Sequence, residues 1–316
     1  MKVLIYGGGA MGLYFAARLR AADHEVVLKA RAAAVEAAHG QGVVVETPAG
    51  SQRVTGVHPV VKLPVGETFD LVVLTTKSWQ VEAAITECLP AIGDHTVVMT
   101  VQNGVDAPAV VADHIPAAQV LAATCVVIVQ RTGPTSVRLL GAEATMKAGR
   151  YTGATTGQES VQVQPVIAAF ASAGITVELV ADVHRALWKK LALISSYGGI
   201  GAMCSVPVGV TRAHVSSRDL VSRAVAECAA VARAKGITFT KTDESEVMDI
   251  YLNGFDPSTT SSMQRDLTEG RPSELMDQNG AVTTHGRAAG INTPTHDLVI
   301  ATQYPREHTT RTTHHP

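Results

Sequence analysis

Residues 3–12, with the sequence VLIYGGGAMG, decide the fold, because a short apolar strand runs directly into a G-x-G-x-x-G turn. In such a turn Gly7 permits the tight bend, Gly9 lets the backbone approach a pyrophosphate, and Gly12 allows the next helix to pack closely on the strand. A helix-compatible stretch does follow, and its first amides would point at the phosphates. The alternative is a glycine turn without a ligand. The context favours a dinucleotide site made by Gly7, Gly8, Gly9, Ala10, Met11 and Gly12.

The end of the second strand indicates which dinucleotide is bound. Versions of this turn that bind NAD end that strand with an Asp or Glu, which holds the ribose hydroxyls. Here the strand-like run Glu25–Lys29 is followed by Ala30 and Arg31, and no carboxylate occurs before Glu36. The planar fork of an arginine suits the oxygens of a 2′-phosphate. Arg31 could also be an ordinary solvated arginine, but the pattern predicts NADP(H) as the cofactor.

The first half of the chain alternates strand-like and helix-like segments, which predicts an α/β fold with a parallel sheet covered by helices. After about residue 180 the pattern changes to long helical stretches. We predict a Rossmann-type domain over 1–181 and an all-helical domain over 182–304, with the active site in the cleft between them. Residues 305–316, rich in Thr, His and Arg, are predicted to form a flexible tail. Within the domains, further strands are expected at 43–47, 52–57, 119–130 and 135–140, and helices at 182–203, 212–235, 243–253 and 273–288.

Composition argues against several classes of protein. A formal net charge of -2 over 316 residues gives no general attraction to nucleic acid or to an anionic membrane. No stretch reaches the roughly 18 apolar residues that a membrane span needs. The four cysteines lie far apart without CxxC spacing, so we expect small core side chains in a reducing cytoplasm. The histidines show no H-x-x-x-H or H-E-x-x-H spacing, and no metal site is expected.

Several segments, in the right order along the chain, resemble the motifs of the ketopantoate reductase (2-dehydropantoate 2-reductase) family. The likeness runs from Lys2 to about Gly290. The glycine turn and Arg31 match the family's NADPH site. The other matching segments are 75–80 (TTKSWQ), 101–104 (VQNG), 188–191 (WKKL), 261–266 (SSMQRD) and 273–275 (SEL).

The resemblance implies an NADPH-dependent reductase that converts a 2-oxo acid to a 2-hydroxy acid, as in the step from ketopantoate to pantoate in pantothenate biosynthesis. It implies Lys190, not Lys189, as the proton donor. A lysine suits that role because it can protonate an oxygen on which negative charge develops. The helix around Lys190 is otherwise apolar, and a lysine is expensive to bury there without a role. The resemblance also implies Glu274 as a second catalytic residue, near the lysine and the cofactor. The other implied contacts are Lys77 with the cofactor, Asn103 with cofactor and substrate, and Ser262 with the substrate.

Three of these roles have a plain structural alternative. Lys190 could serve only the fold, with Lys189 as its solvated neighbour. Glu274 could be an acid in the first turn of the helix that Pro272-Ser273-Glu274 opens, where it would complement the helix dipole. Ser262 could be an ordinary helix cap.

The substrate half departs from the family pattern. Four and eight residues after its catalytic lysine the family carries asparagines, but this chain has Ile194 and Gly198, and Val208 and Thr259 replace two more. In the family these asparagines hydrogen-bond the substrate, and each lost contact removes on the order of 1 kcal/mol. Ile194 lies one turn from Lys190 on the same helix face. The sequence therefore predicts a pocket wall that is apolar at Ile194 and empty at Gly198.

Three functions stay open at this point. The chain could reduce ketopantoate itself, or a different, less polar 2-oxo acid or ketone in a specialised pathway. It could instead be a non-catalytic NADP-binding regulatory protein, although the retention of Lys190 and Glu274 favours an enzyme. The expected partner is a small-molecule 2-oxo acid or ketone, with no nucleic acid and no membrane, and a homodimer is left open.

Overall fold

The computed structural model describes residues 1–38, 42–152 and 163–314. The chain divides into two compact units, Met1–Gln102 with Ala107–Val183 and Asn103–Asp106 with His184–Pro316. The strands are β1 (Lys2–Tyr6), β2 (Glu25–Lys29), β3 (Val43–Thr47), β4 (Gly50–Val54), β5 (Val57–Val60), β6 (Leu71–Leu74), β7 (Val97–Thr100), β8 (Val120–Val126), β9 (Val129–Arg131), β10 (Ser136–Leu139), β11 (Thr145–Arg150) and β12 (Thr176–Leu179). The helices are α1 (Ala10–Ala21), α2 (Ala32–Ala38), α3 (Val81–Cys88), α4 (Ala107–Ala112), α5 (Gln164–Ser172), α6 (Val183–Cys204), α7 (Val208–Ala213), α8 (Val215–Ala234), α9 (Lys241–Asn253), α10 (Ser262–Thr268), α11 (Leu275–Ala288) and α12 (Pro294–His314).

The main sheet of the first unit has the order β12-β11-β8-β7-β6-β1-β2-β5. The six strands from β5 to β8 are parallel, whereas β11 runs antiparallel to β8. Strands β6 and β7 are buried along their whole length, as expected of a parallel sheet covered on both faces. The six parallel strands have the spatial order 3-2-1-4-5-6 of a doubly wound nucleotide-binding sheet, and the predicted Rossmann-type α/β fold is confirmed.

A second, four-stranded sheet has the order β4-β3-β10-β9. Two strand predictions were wrong here. Residues 52–57 are not one strand of this sheet, because β4 ends at Val54 and β5 joins the main sheet instead. Proline lacks a backbone N–H, so Pro59 is tolerated in β5 only because β5 is an edge strand. Residues 119–130 divide into β8 and β9, which belong to different sheets.

The described part of the second unit is helical, and glycines let its helices approach α6 closely. A Cβ on Gly199 would lie 2.9 Å from Asn279 Nδ2 and 3.1 Å from both methyl groups of Val299. A Cβ on Gly198 would lie 2.8 Å from Ser261 Oγ. Since Asn279 belongs to α11, Val299 to α12 and Ser261 precedes α10, three neighbours pack on one glycine-containing stretch of α6.

The predicted flexible tail is wrong over residues 305–314, because α12 continues to His314. A stripe of residues at helical spacing is buried along it, including Val299, Gln303, Glu307 and Thr310. Most of this stripe is polar, so the apolar periodicity that normally reveals a core-facing helix is absent from the sequence. Residues 315–316 of the predicted tail lie outside the described residues.

The cysteines were expected to be small core side chains. Cys88, Cys125 and Cys228 are buried, but Cys204 is exposed because it is the last residue of α6. The expectation is therefore wrong for that one thiol. Among the described residues, we find no helix with the length and apolar character needed to cross a membrane.

The packing around α6 generates a stability prediction. An alanine inside a helix is normally up to ~1 kcal/mol better than a glycine, but overpacking a close contact costs about 1–3 kcal/mol. We expect Gly199→Ala to lower the free energy of unfolding by roughly 1–2 kcal/mol, because Asn279 and Val299 must move. Urea titration followed by circular dichroism measures the change.

The matched control is Gly280→Ala, also inside a helix. There the closest atom, at 2.9 Å, is the end of the flexible and exposed Met276 side chain. That variant should be neutral or slightly stabilising. Equal loss of stability in both variants would contradict the packing argument.

Candidate active site

The glycine turn connects β1 to α1. Gly7 has φ +125°, a conformation that favours glycine, and a Cβ on Gly12 would lie only 1.8 Å from the Gly7 carbonyl oxygen. A Cβ on Gly9, by contrast, would meet no atom of the described chain within 4 Å. The fold therefore requires glycine at 7 and 12. The missing side chain at Gly9 instead leaves open space at the helix N-terminus, where the first amides have no acceptor within the helix.

Thr75, which sequence reasoning did not assign to the site, fixes this turn. Its Oγ1 lies 3.1 Å from the Tyr6 carbonyl oxygen and 3.0 Å from that of Gly7, and its amide donates to Tyr6 at 2.9 Å. The residue after β6 is thereby tied to the residues that end β1. The available signal was its place directly after a buried parallel strand, at the edge where ligands bind in such sheets.

Gln102 holds the segment that carries Lys77. Its buried side chain donates through Nε2 to the carbonyl oxygens of Leu74, at 2.7 Å, and Thr76, at 3.1 Å. Lys77 follows, with its Nζ 5.9 Å from the centre of the Trp79 ring. The first two residues of the Q-N-G loop thus act differently, because Gln102 supports the first unit and Asn103 belongs to the second.

The cations after β2 differ in their surroundings. Lys29 Nζ donates to the Val61 carbonyl oxygen at 2.6 Å and forms an ion pair with Glu87. Arg31 is exposed. Burial and then repulsion from the charge of Arg31 lower the pKa of Arg131. A bound anion would relieve that repulsion, whereas the charge of Lys29 already has its partner.

The segment Asn103–Asp106 packs on the helices of the second unit. Asn103 Nδ2 donates to Glu274 Oε2 at 3.1 Å. A Cβ on Gly104 would lie 2.8 Å from the carbonyl oxygen of Asp277, so the loop backbone lies directly against α11. Two residues that are 171 positions apart, Asn103 and Glu274, are therefore neighbours.

The other end of this segment is held by a histidine. Asp106 Oδ1 lies 2.7 Å from His285 Nε2, and the other ring nitrogen of His285 lies 3.1 Å from Lys235 Nζ. The His285 ring also packs against Trp188, with 5.7 Å between ring centres. Val105 packs on the same apolar cluster as Trp188. Both ends of the loop are thus fixed by α11.

Glu274 stands at the entrance to α11 and is only 5% exposed. It occupies the N-cap position, but its side chain makes no cap hydrogen bond, and the carboxylate accepts from Asn103 instead. The alternative, a plain first-turn acid, does not account for that bond. Burial and then the charge of Glu274 raise the pKa of Asp277 to about 6. None of the described His, Cys, Asp and Glu side chains form a group of three or more able to hold a metal ion.

The family resemblance assigns different roles to the two neighbouring lysines of α6. Lys189 Nζ lies 2.7 Å from Asp243 Oδ1 and also pairs with Glu246, so its description as a solvated neighbour was wrong. Asp243 is fully buried. Burial alone would raise the pKa of its carboxyl, but hydrogen bonds, first from Arg185 and then from Lys189, hold it well below the usual range. Lys190 is half-buried rather than buried, so the expected desolvation is only partial.

Ser261, not Ser262, is the cap of α10. Its Oγ accepts the Gln264 amide at 3.0 Å, whereas Ser262 is the exposed first residue of the helix. The capping alternative for Ser262 was therefore wrong. Ser261 also fills the space beside Gly198, so the predicted emptiness at that position was wrong as well. Ser262 follows directly after the residue that packs on α6.

The remaining departures from the family pattern have different physical settings. Val208 is 3% exposed and belongs to the apolar core of the second unit, so its apolar character is a packing requirement. Thr259 is half-buried, and its carbonyl accepts the Val208 amide at 2.9 Å. Ile194 is half-buried and packs at the margin of the same core. Of the apolar replacements, Ile194 is the one that retains an accessible surface.

Comparisons with known proteins place both units in one family. The family model "Ketopantoate reductase PanE/ApbA" matches residues 3–153, and "Ketopantoate reductase PanE/ApbA C terminal" matches residues 182–303. The 2-dehydropantoate 2-reductase of Halobacterium salinarum is 30% identical over 295 residues, which cover 93% of this chain and 95% of that relative. The enzyme of the same name from Caulobacter vibrioides is 30% identical over 309 residues, with 95% and 97% covered.

Solved structures agree with these relatives. The PanE/ApbA family ketopantoate reductase from Ralstonia eutropha JMP134 is 29% identical, with a TM-score of 0.86 and coverage of 98% of this chain and 100% of that one. D-Mandelate dehydrogenase with NADH and anilino(oxo)acetate has a TM-score of 0.89 at 22% identity, again covering 98% and 100%. The second likeness shows the fold alone.

The glycine turn generates a paired prediction. Gly9→Ala should leave the free energy of unfolding unchanged but weaken nicotinamide dinucleotide binding about tenfold or more, because its methyl group enters space that the protein does not use. Gly12→Ala should destabilise the fold by more than about 3 kcal/mol, because the methyl group collides with the backbone at Gly7. Thermal unfolding and titration calorimetry measure the two effects. Unchanged dinucleotide affinity in Gly9→Ala would contradict the assignment of the turn.

Proposed function

This chain belongs to the ketopantoate reductase PanE/ApbA family, and on that basis we propose that it is an NADPH-dependent reductase converting a 2-oxo acid to a 2-hydroxy acid. Oxidoreductases acting on a keto/hydroxy pair make up this family. The observation that carries the proposal is the hydrogen bond from Asn103 to Glu274. It joins two residues that the family resemblance assigns to the reacting end of such a site.

The residues of the first unit fit a dinucleotide. The space beside Gly9 and the first amides of α1 would receive the pyrophosphate. Thr76 Oγ1, next to the turn, is buried without a hydrogen-bond partner in the described part of the chain, and it would gain one from a polar ligand. Arg31, beside Arg131, would bind a 2′-phosphate. When bound, NADPH supplies the hydride for carbonyl reduction.

The residues of the second unit would act on the substrate. The family resemblance assigns the proton donor to Lys190, and its neighbour Lys189 is paired with Asp243 and Glu246. Donation of a proton by Lys190 Nζ to the carbonyl oxygen would neutralise the charge that develops there. Because Asn103 Nδ2 is held by Glu274, the direction of the amide is set and its oxygen is presented in a fixed orientation. Ser262, exposed at the start of α10, would provide a further hydrogen bond.

Within this class, we propose a substrate that is less polar than ketopantoate. The observation that favours it is the half-buried Ile194, one helical turn after Lys190. A substrate hydroxyl placed against Ile194 would lose its water without gaining a partner, which costs roughly 1–3 kcal/mol. An alkyl or aryl group there would gain about 25 cal/mol per Å² buried.

The cofactor assignment is tested at Arg31. Wild-type protein should bind NADPH more tightly than NADH, and Arg31→Ala should weaken NADPH binding by roughly 10- to 100-fold, because hydrogen bonds to charged groups contribute about 1.5–3 kcal/mol. Affinity for NADH should be unchanged. The matched control is Lys29→Ala, which removes a cation already paired with Glu87 and should affect both cofactors alike. Equal wild-type affinity for the two cofactors would contradict the proposal.

The proton donor is tested by comparing the neighbouring lysines. Lys190→Ala should reduce kcat by ~10² to 10⁴-fold while nearly preserving NADPH affinity, since general acid catalysis has that magnitude. Lys189→Ala should keep most of kcat but lower the melting temperature, because Asp243 loses one of its partners. Steady-state kinetics and thermal unfolding measure both. If Lys189→Ala did the greater damage to kcat, the assignment would be reversed.

The substrate class is tested with a series of 2-oxo acids and NADPH. Specificity constants should rise from ketopantoate to acids with alkyl or aryl side chains, and Ile194→Asn should move the preference back towards ketopantoate. The comparison of wild type with Ile194→Asn isolates the effect of residue 194, because the rest of the site is unchanged. A wild-type protein for which ketopantoate is the best of the series would refute the preference.

A further inference from the structure

A buried carboxylate lies close to the candidate site but has no role in the chemistry described above. Glu307, in α12, is only 1% exposed. Its Oε2 accepts the amide of Ser273 at 3.0 Å and the hydroxyl of Ser273 at 2.7 Å, and its Oε1 accepts Arg311 Nε at 2.5 Å. A buried carboxylate is expensive unless such donors satisfy it. Here they come from the residue directly before Glu274.

All the polar groups of Ser273 are used. Its amide and hydroxyl bind Glu307, its carbonyl oxygen accepts Arg311 Nη2 at 2.9 Å, and its Oγ accepts the Leu275 amide at 3.2 Å. The residues on both sides of Glu274 are therefore fixed. The Glu274 carbonyl oxygen accepts the Gln278 amide at 2.9 Å, so Glu274 itself is also anchored to α11.

We propose that Glu307 and Arg311 are positioning residues, which act through Ser273 to hold the Glu274 carboxylate against Asn103. The proposal rests on the function proposed above, in which Asn103 and Glu274 orient the reactants. Neither Glu307 nor Arg311 touches substrate in this account. Their contribution is to remove backbone freedom at Glu274, so that the hydrogen bond to Asn103 is formed before the substrate arrives.

The charges support the same connection. Burial and then the charge of Glu274 raise the pKa of Asp277, whereas the charge of Arg311 lowers it, so the guanidinium acts on the same acidic pair that lies beside the loop. The Oε1 atom of Glu307 lies 2.5 Å from Arg311 Nε, so its carboxylate partly neutralises the charge of Arg311. The carboxylates of Glu274 and Asp277 and the Arg311–Glu307 ion pair thus form one electrostatic group around the start of α11.

A second carboxylate serves as a matched control. Glu227, in α8, accepts the amides of Thr295 at 3.0 Å and His296 at 3.2 Å, so it anchors the beginning of α12 as Glu307 anchors its later part. It has no place in the proposed chemistry. Loss of either carboxylate should destabilise α12, but only loss of Glu307 should disturb Glu274.

The experiment compares Glu307→Ala, Glu307→Gln, Ser273→Ala and Glu227→Ala with wild type. We expect Glu307→Ala and Ser273→Ala to lower kcat by about 10- to 100-fold with little change in NADPH affinity, since small misplacements of orienting groups have such effects. Glu307→Gln, which keeps an acceptor for Ser273, should lose less. Glu227→Ala should lower the melting temperature and retain kcat. If Glu307→Ala does not fold, Ser273→Ala still tests the proposal, because it removes a hydroxyl that Glu307 binds.

A second readout does not depend on activity. In protein labelled with ¹⁵N-asparagine, the side-chain amide signals of Asn103, assigned with Asn103→Asp, report the bond to Glu274. They should shift in Glu307→Ala and Ser273→Ala and stay in place in Glu227→Ala. Wild-type kcat and unshifted Asn103 signals in both Glu307→Ala and Ser273→Ala would overturn the proposal. If wild-type protein reduces no 2-oxo acid, the proposed function fails, and the Asn103 signals still decide whether Glu307 positions Glu274.

Discussion

The hydrogen bond between Asn103 and Glu274 is the contact on which the candidate site depends. It joins a loop that follows strand β7 to the entrance of helix α11, and both partners come from sequence positions far apart. The loop is secured further by the close approach of Gly104 to Asp277 and by the pair of Asp106 with His285. Contacts at both ends restrict this loop. Under the proposed function, a hydrogen-bonding group that is already ordered would cost no reordering when substrate binds.

Electrostatic pairing separates residues that the sequence alone presents as equivalent. Lys189 and Lys190 are neighbours in sequence. Lys189, together with Arg185, forms ion pairs with the fully buried Asp243. Lys29 and Arg31 are two residues apart, and Lys29 forms an ion pair with Glu87. In each case a carboxylate from a distant part of the chain forms an ion pair with one of the cations, and that pair contributes to the fold. The same principle applies to Glu307, whose carboxylate is committed to Ser273 and Arg311 rather than to solvent.

Local patterns were sufficient to predict the parallel sheet, because strand-like and helix-like segments alternate over the first half of the chain. They also predicted the glycine turn, because the G-x-G-x-x-G motif directly follows the first strand. Local sequence patterns gave wrong predictions where contacts with distant residues determine the structure. The sequence predicts a tail over residues 305–316, because the residues that α12 buries there, Glu307 and Thr310, are polar rather than apolar. Ser261 and Ser262 are adjacent serines, and the hydrogen bond from the Gln264 amide to Ser261 Oγ shows that Ser261 is the cap.

The function proposed for this chain is hydride transfer from a nicotinamide cofactor to the carbonyl carbon of a 2-oxo acid. The most direct test is to incubate the protein with NADPH deuterated at the nicotinamide C4, as each of the two stereoisomers, and a series of 2-oxo acids. Mass spectrometry then measures deuterium in the products. The account predicts one deuterium at C2 of a 2-hydroxy acid, delivered from one stereoisomer only. Absence of label from the products of every acid, with both stereoisomers, would contradict it.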